Sequence, residues 1–259
     1  MLPVFIIEKA LDLALENGAD FAEIFIEDTL KNTLTMTNDK MEAVISGRIH
    51  GYGIRVFSGT KSVYAYSGDF SQRSVYSLAK EVAAALSSKK IDKTDPIILN
   101  KQIFENKHII ANYPLAVEAK EKAKIVSETY RIIKTYDPRI VQASVTYLDE
   151  DRSIMVANSE GVFTEDRAVR TRLVMNAVAG DGNQNQTGGE SPGRRMGFEM
   201  FEKVNVEELA KSAAKTALTM LSAPECPSGV MPVVIGNGFG GVIFHEACGH
   251  ALEATSVAK

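Results

Sequence analysis

At 259 residues, with 45% apolar and 24% charged side chains, the chain can bury a sizeable core and has the composition of a globular protein. Its net charge of −4, with lysine and arginine interspersed among aspartate and glutamate, gives no footprint for nucleic acid or an anionic membrane. Two cysteines without framework spacing exclude a disulfide scaffold and fit a reducing compartment, so the expected location is cytoplasmic.

The opening segment, MLPVFIIEKALDLALENGAD, is apolar but broken by Glu8, Lys9 and Asp12, and it lacks a basic leader or cleavage-site pattern. It reads as neither a signal peptide nor a membrane span. Ile6, Ile7, Ala10, Leu11 and Ala14 instead form a helical stripe that ends near Gly18. Strands are expected at about Ala22–Asp28, Asn32–Thr37 and Glu42–Ser46, with Asn38-Asp39 as the turn between the second and third. A hairpin follows, Ile54–Phe57 and Ser62–Tyr66 around Ser58-Gly59-Thr60. A helix from about Ser71 to Leu86, capped by Asp69 or Ser71, closes this half.

A polar stretch, Ser87 to Tyr113, links the halves and is expected to contain a short strand at Pro96–Leu99. After Pro114, the positions Ala116, Ala119, Ala123, Val126, Tyr130 and Ile133 step by three and four, so a helix runs to Asp137-Pro138. Strands follow at about Ile140–Leu148, Ser153–Asn158, Val162–Asp166 and Ala168–Ala179, with Asn158-Ser159-Glu160-Gly161 as a tight turn. Asp181 to Arg195, DGNQNQTGGESPGRR, is too polar and glycine-rich to bury a core and reads as a mobile loop. It is either a flap over a peptide channel or an ordinary surface loop, and the ordinary loop is favoured. The last helix of this half spans Val206 to Leu221, with Asn205 and Glu208 at capping-box spacing and Glu207–Lys211 as an i,i+4 pair. Both halves read helix, antiparallel strands, helix, without a sequence repeat.

Ala223 to Gly229, APECPSG, is rich in breakers and marks a domain boundary. Beyond it, Met231–Ile235 is strand-like and leads into a glycine-rich turn and the run Ile243-Phe244-His245-Glu246-Ala247-Cys248-Gly249-His250. Two histidines flanking a glutamate in an apolar setting is what a zinc hydrolase uses for two metal ligands and a general base. The spacing is unusual. On an α-helix an i,i+5 pair is offset by about 140°, whereas an i,i+4 pair is offset by about 40°. His245 and His250 can share a metal only if the helix widens into a π turn or breaks, and Gly249 is a residue type that permits such a departure. Spacing alone leaves open the plain alternative of two histidines on different helix faces. The adjacent Glu246 and the scarcity of histidine, four in the chain, favour the metal. His50 and His108 stand alone and read as structural or surface residues, and Cys226 as an inert linker residue.

Pro232 to Glu253, PVVIGNGFGGVIFHEACGHALE, resembles the metal-binding segment of the TldD branch of the TldD/PmbA family of metallopeptidases, with its HExxxH motif, glycine-rich lead-in and small-Leu-Glu tail. Gly51 to Asp69, GYGIRVFSGTKSVYAYSGD, resembles part of that family's amino-terminal domain. The resemblance implies Zn2+ held by His245 and His250, and Glu246 as the catalytic base. It places the third ligand at a cysteine far downstream, which neither Cys226 nor Cys248 matches. Glu253 is the one conceivable third ligand near the motif, so a chain ending here is expected to retain metal weakly and to hydrolyse little. The resemblance further implies unfolded or short peptides as substrate, a PmbA/TldE-like partner subunit in a heterodimer, and roles in antitoxin degradation or leader removal. The older family label, modulator of DNA gyrase, finds no support in the charge pattern.

The expected fold is therefore α+β. Residues 1–222 form an N-terminal substrate-handling domain of two helix–antiparallel-strands–helix halves, at about 1–88 and 114–222. A linker spans 223–230, and 231–259 form the first strand and motif helix of an incomplete C-terminal catalytic domain. Two other readings compete: a nucleotide-binding module using the GxGxxG at 236–241, and a non-catalytic partner subunit of a peptidase complex. A dinucleotide site would need a further parallel strand ending in an acidic residue, and it leaves the His-Glu-His cluster unexplained. Possession of the motif places the chain on the catalytic side.

Overall fold

The computed structural model describes residues 2–86 and 96–258. They fall into two units, one ending at Ser222 and one beginning at Ala223, each described by itself. In the first unit the order is α1 (Val4–Leu15), β1 (Phe21–Thr37), β2 (Lys40–Ser58), β3 (Lys61–Ser67) and α2 (Gln72–Leu86). After these come β4 (Asn100–Gln102), a 3₁₀ turn at Pro114–Ala116, α3 (Ala119–Lys134), β5 (Ile140–Asn158) and β6 (Val162–Gly180). The unit closes with β7 (Asn185–Glu190), β8 (Gly193–Arg194), α4 (Met200–Lys203) and α5 (Val206–Ser222).

The local signals operate as their chemistry requires. Asn38 and Asp39 both take positive φ, 50° and 62°, the conformation that a two-residue hairpin demands. Ser71 caps α2 through its Oγ, which accepts from the Ser74 N–H. Asn205 caps α5, its Oδ1 accepting from the Glu208 N–H, while its side-chain amide, in place of the backbone N–H of a full capping box, donates to Glu208 Oε2. Lys211 and Glu207 pair along α5.

One eight-stranded sheet runs through both halves in the order β3-β2-β1-β5-β6-β4, with β7 and β8 also on β6. All its pairings are antiparallel except β4 with β6. The strands are longer than the sequence reading expected. Ala22–Asp28 and Asn32–Thr37 are one strand, Glu42–Ser46 continues into Ile54–Phe57, and the four segments between Ile140 and Ala179 are two strands. From Ala143 to Ala157 the buried positions of β5 are all odd-numbered. Met155 and Ala157 join one core with α1 and α2, whereas Ala143, Val145 and Tyr147 join a second with α3 and α5. Both cores therefore lie on the same face of the sheet. Between them sit the buried Asp149 and Asp151, each satisfied: Asp149 by Lys122, Tyr147 and Asn32, and Asp151 by both guanidinium arms of Arg167. This polar waist is what breaks the apolar alternation in the sequence.

Three expectations are corrected. Pro96–Leu99 is not a strand: the Ile97 and Leu99 N–H groups donate to the Asp12 and Glu8 carboxylates on α1, and the strand begins at Asn100. Residues 87–95 of the expected linker lie outside the described residues. Asp181–Arg195 is not a free loop, since β7 and β8 within it extend the sheet against β6. Gly188 serves close packing: a Cβ there would lie 2.2 Å from the Ala213 carbonyl oxygen on α5. Finally, Met231–Ile235 forms no strand. An apolar run becomes a strand only beside a partner that satisfies its backbone, and the described residues of the second unit contain none.

Candidate metal centre

In the second unit the chain passes through a 3₁₀ turn (Gly238–Gly241), a single helical turn α6 (Val242–Phe244), a π turn (His245–Gly249) and another 3₁₀ turn (His250–Leu252). A short α7 (Ala254–Val257) follows. The π turn is the widening that the i,i+5 histidine spacing calls for. Its hydrogen bond runs from the His250 N–H to the His245 carbonyl, which sets residue i+5 over residue i.

As a result the two imidazoles converge. Their centroids are 4.6 Å apart with the ring planes inclined at 71°. One ligand atom from each of His245, Glu246 and His250 lies within 4.8 Å of the others. Two ligands at about 2.0–2.1 Å from one tetrahedral zinc are roughly 3.4 Å apart, so small side-chain rotations would close the group on an ion. The residues also fit chemically: two imidazole nitrogens suit a borderline-soft divalent cation, and a carboxylate beside them suits a base for a metal-bound water. The Glu246 carboxylate stands on the same side, its Oε2 3.7 Å from Nε2 of His250.

Two details differ from the sequence reading. Gly249 does not use its conformational freedom: its φ of −61° is ordinary helix, and a Cβ there would meet His245 Nδ1 at 3.5 Å, a normal contact. Glu253, the conceivable third ligand, stands outside the converging group and engages the far side of the His250 ring, Oε1 to Nδ1 at 2.5 Å. Gly236–Gly241 follows an irregular segment, so the strand-turn-helix setting of a dinucleotide fingerprint is missing there. His50 stacks on Phe70 at 4.3 Å, and His108 is exposed in irregular chain. Cys226 and Cys248 are both free thiols.

A feature that the sequence reading missed lies in the first unit. Gly51 and Gly53 on β2 floor a depression of about 330 Å³ bordered by Phe25, Ile49, Tyr64 and Tyr66. The glycines alternate along the strand, so both fall on the sheet face opposite the helices. That spacing was the available signal.

Residues 22–88 match PmbA/TldA metallopeptidase domain 1, and residues 112–221 match the PmbA/TldA metallopeptidase central domain. A metalloprotease of Methanocaldococcus jannaschii, MJ0996, is 32% identical over 99% of this chain and 56% of its own length. The zinc metalloprotease TldD homolog of Saccharolobus solfataricus is 25% identical over 95% of this chain and 53% of its own. The chain thus spans about half the length of the curated relatives that it matches. In solved structures its fold resembles TldE from Thermococcus kodakarensis, at 14% identity and TM-score 0.61 over 82% of this chain and 47% of that one. It also resembles a Thermotoga maritima protein labelled a DNA gyrase modulator, at 19% identity and TM-score 0.67 over 87% and 50%.

Proposed function

The chain belongs to the PmbA/TldD family of metallopeptidases, and from that premise we propose that it carries two zinc ligands and the general base of a peptidase acting on unfolded or short peptides. The observation that supports this reading is the π turn, which turns an i,i+5 pair of histidines into a convergent one. Zinc naming in a relative supports the choice of metal.

His245 and His250 would hold the ion. When bound, zinc supplies Lewis acidity toward a water and a peptide carbonyl. Glu246, beside the first ligand and facing the second, would take the proton from the attacking water and deliver it to the departing amine. The antiparallel sheet of the first unit would handle the peptide, with a TldE-like subunit as partner and the cytoplasm as the compartment. Among the described residues, no helix is long and apolar enough to cross a membrane.

Substitution separates the roles. In a preparation that cleaves an unfolded peptide, Glu246→Gln keeps its zinc and loses about 10²–10⁴-fold in hydrolysis. His245→Ala and His250→Ala lose zinc and hydrolysis together. Retention of most activity in Glu246→Gln would overturn the proton role.

A further inference from the structure

We propose that Glu253 is a positioning residue for His250, holding the imidazole as its Nδ1–H tautomer so that Nε2 presents a lone pair to the metal. The inference rests on the metal reading above. Glu253 Oε1 lies 2.5 Å from Nδ1 of His250, while Nε2 of the same ring faces Glu246 Oε2 at 3.7 Å. An ionised carboxylate only accepts hydrogen bonds, so a contact of this kind puts a hydrogen on Nδ1. A neutral imidazole carries one N–H, which leaves Nε2 unprotonated on the side of the cluster.

The backbone produces this arrangement by changing pitch twice in nine residues. The π turn His245–Gly249 brings His250 over His245. The 3₁₀ turn His250–Leu252 then brings residue i+3 over residue i, because 3₁₀ side chains eclipse at that spacing, and this sets Glu253 against His250. The helix ends there: Glu253 is extended, with φ −63° and ψ 145°, and its carbonyl accepts from the Ser256 N–H. The i,i+5 and i,i+3 spacings thus act as one device, convergence first and orientation second. Glu253 therefore orients one ligand and is not a ligand itself. Hydrogen-bonded carboxylates behind metal-binding histidines fix the ring and raise its basicity, and losing one typically costs 10–100-fold in metal affinity.

The test uses the 259-residue chain labelled with ¹⁵N and freed of metal, at a pH where His250 is neutral. Its imidazole nitrogen shifts should report the Nδ1–H tautomer. Glu253→Ala should shift His250 toward Nε2–H, whereas Glu253→Gln, whose amide oxygen accepts the same hydrogen, should largely keep the wild-type pattern. Zinc competition against a chelator should show Glu253→Ala weaker by about 10–100-fold, with Glu253→Gln between. A wild-type His250 that is mainly Nε2–H, or a tautomer unmoved by Glu253→Ala, would overturn the proposal. So would equal zinc affinity in wild type and Glu253→Ala while His250→Ala weakens binding, a result that leaves the metal reading intact. Failure of the metal reading has its own signature, zinc affinity indifferent to His250→Ala.

Discussion

Lys122 Nζ lies 2.7 Å from Asp149 Oδ2, and the two side chains are only 5% and 1% exposed. The pair ties α3 to the middle of β5, in the polar waist between the two apolar cores. Asp149 also accepts from the Tyr147 hydroxyl and the Asn32 amide, and burial pushes the Tyr147 phenol well above its ordinary range. Removing one member strands the other in a dry site. Asp149→Ala or Lys122→Ala should therefore cost about 3–5 kcal/mol, measured by urea unfolding. The double variant Lys122→Met/Asp149→Leu should cost less than the sum of the singles, though Tyr147 and Asn32 still lose their acceptor. A loss below about 1 kcal/mol for Asp149→Ala would show that water reaches the waist.

Gly188 marks where β7 meets α5. A Cβ there would stand 2.2 Å from the Ala213 oxygen and 2.5 Å from the Ala217 nitrogen, both backbone atoms of a packed helix. Gly188→Ala should destabilise by about 1–3 kcal/mol and lower the thermal midpoint. Gly249→Ala, with only an ordinary contact at 3.5 Å, should leave the midpoint unchanged. Equal midpoints for the two variants would mean that β7 does not pack as described.

These glycines also show what the sequence could and could not convey. Helices and turns were legible because capping residues and positive-φ sites leave local marks, as at Ser71, Asn38-Asp39 and Asn205. Strand lengths were not. Asp28 and Lys31, and likewise Asp149 to Arg152, look like interruptions in an apolar alternation, yet cross-strand partners such as Arg48 and Arg167 carry the ladder through them. β7 was hidden because Gly188 and Gly189 signal a loop until the α5 backbone that Gly188 accommodates is known. In the metal centre, the histidine spacing posed a choice between a plain helix and a wide turn, and only the backbone shows the wide turn. The role of Glu253 was obscured because proximity to His250 alone cannot distinguish a ligand from a group behind the ring.

Glu199 gives the first unit an acid-sensitive joint. Burial would raise its carboxyl, but N–H groups of Gly197, Asn112 and Ala111 donate to it and hold it below the ordinary carboxylate range. A lowered folded value means that the ionised form stabilises the fold. That contribution is complete above the ordinary glutamate value of about 4.3 and fades as pH falls through the lowered one. Urea midpoints should drop across this acid range, and Glu199→Gln should be less stable at pH 7 with a flatter profile. Parallel profiles for the two proteins would assign the acid loss to other carboxylates.

If the π turn makes His245 and His250 joint ligands of one divalent ion, zinc affinity depends on both imidazoles. Zinc competition with a chelator, run side by side on the wild-type 259-residue chain, His245→Ala, His250→Ala and Glu246→Gln, tests it most directly. Each histidine variant should lose about tenfold or more in affinity, while Glu246→Gln stays close to wild type. Wild-type affinity in both histidine variants would contradict it.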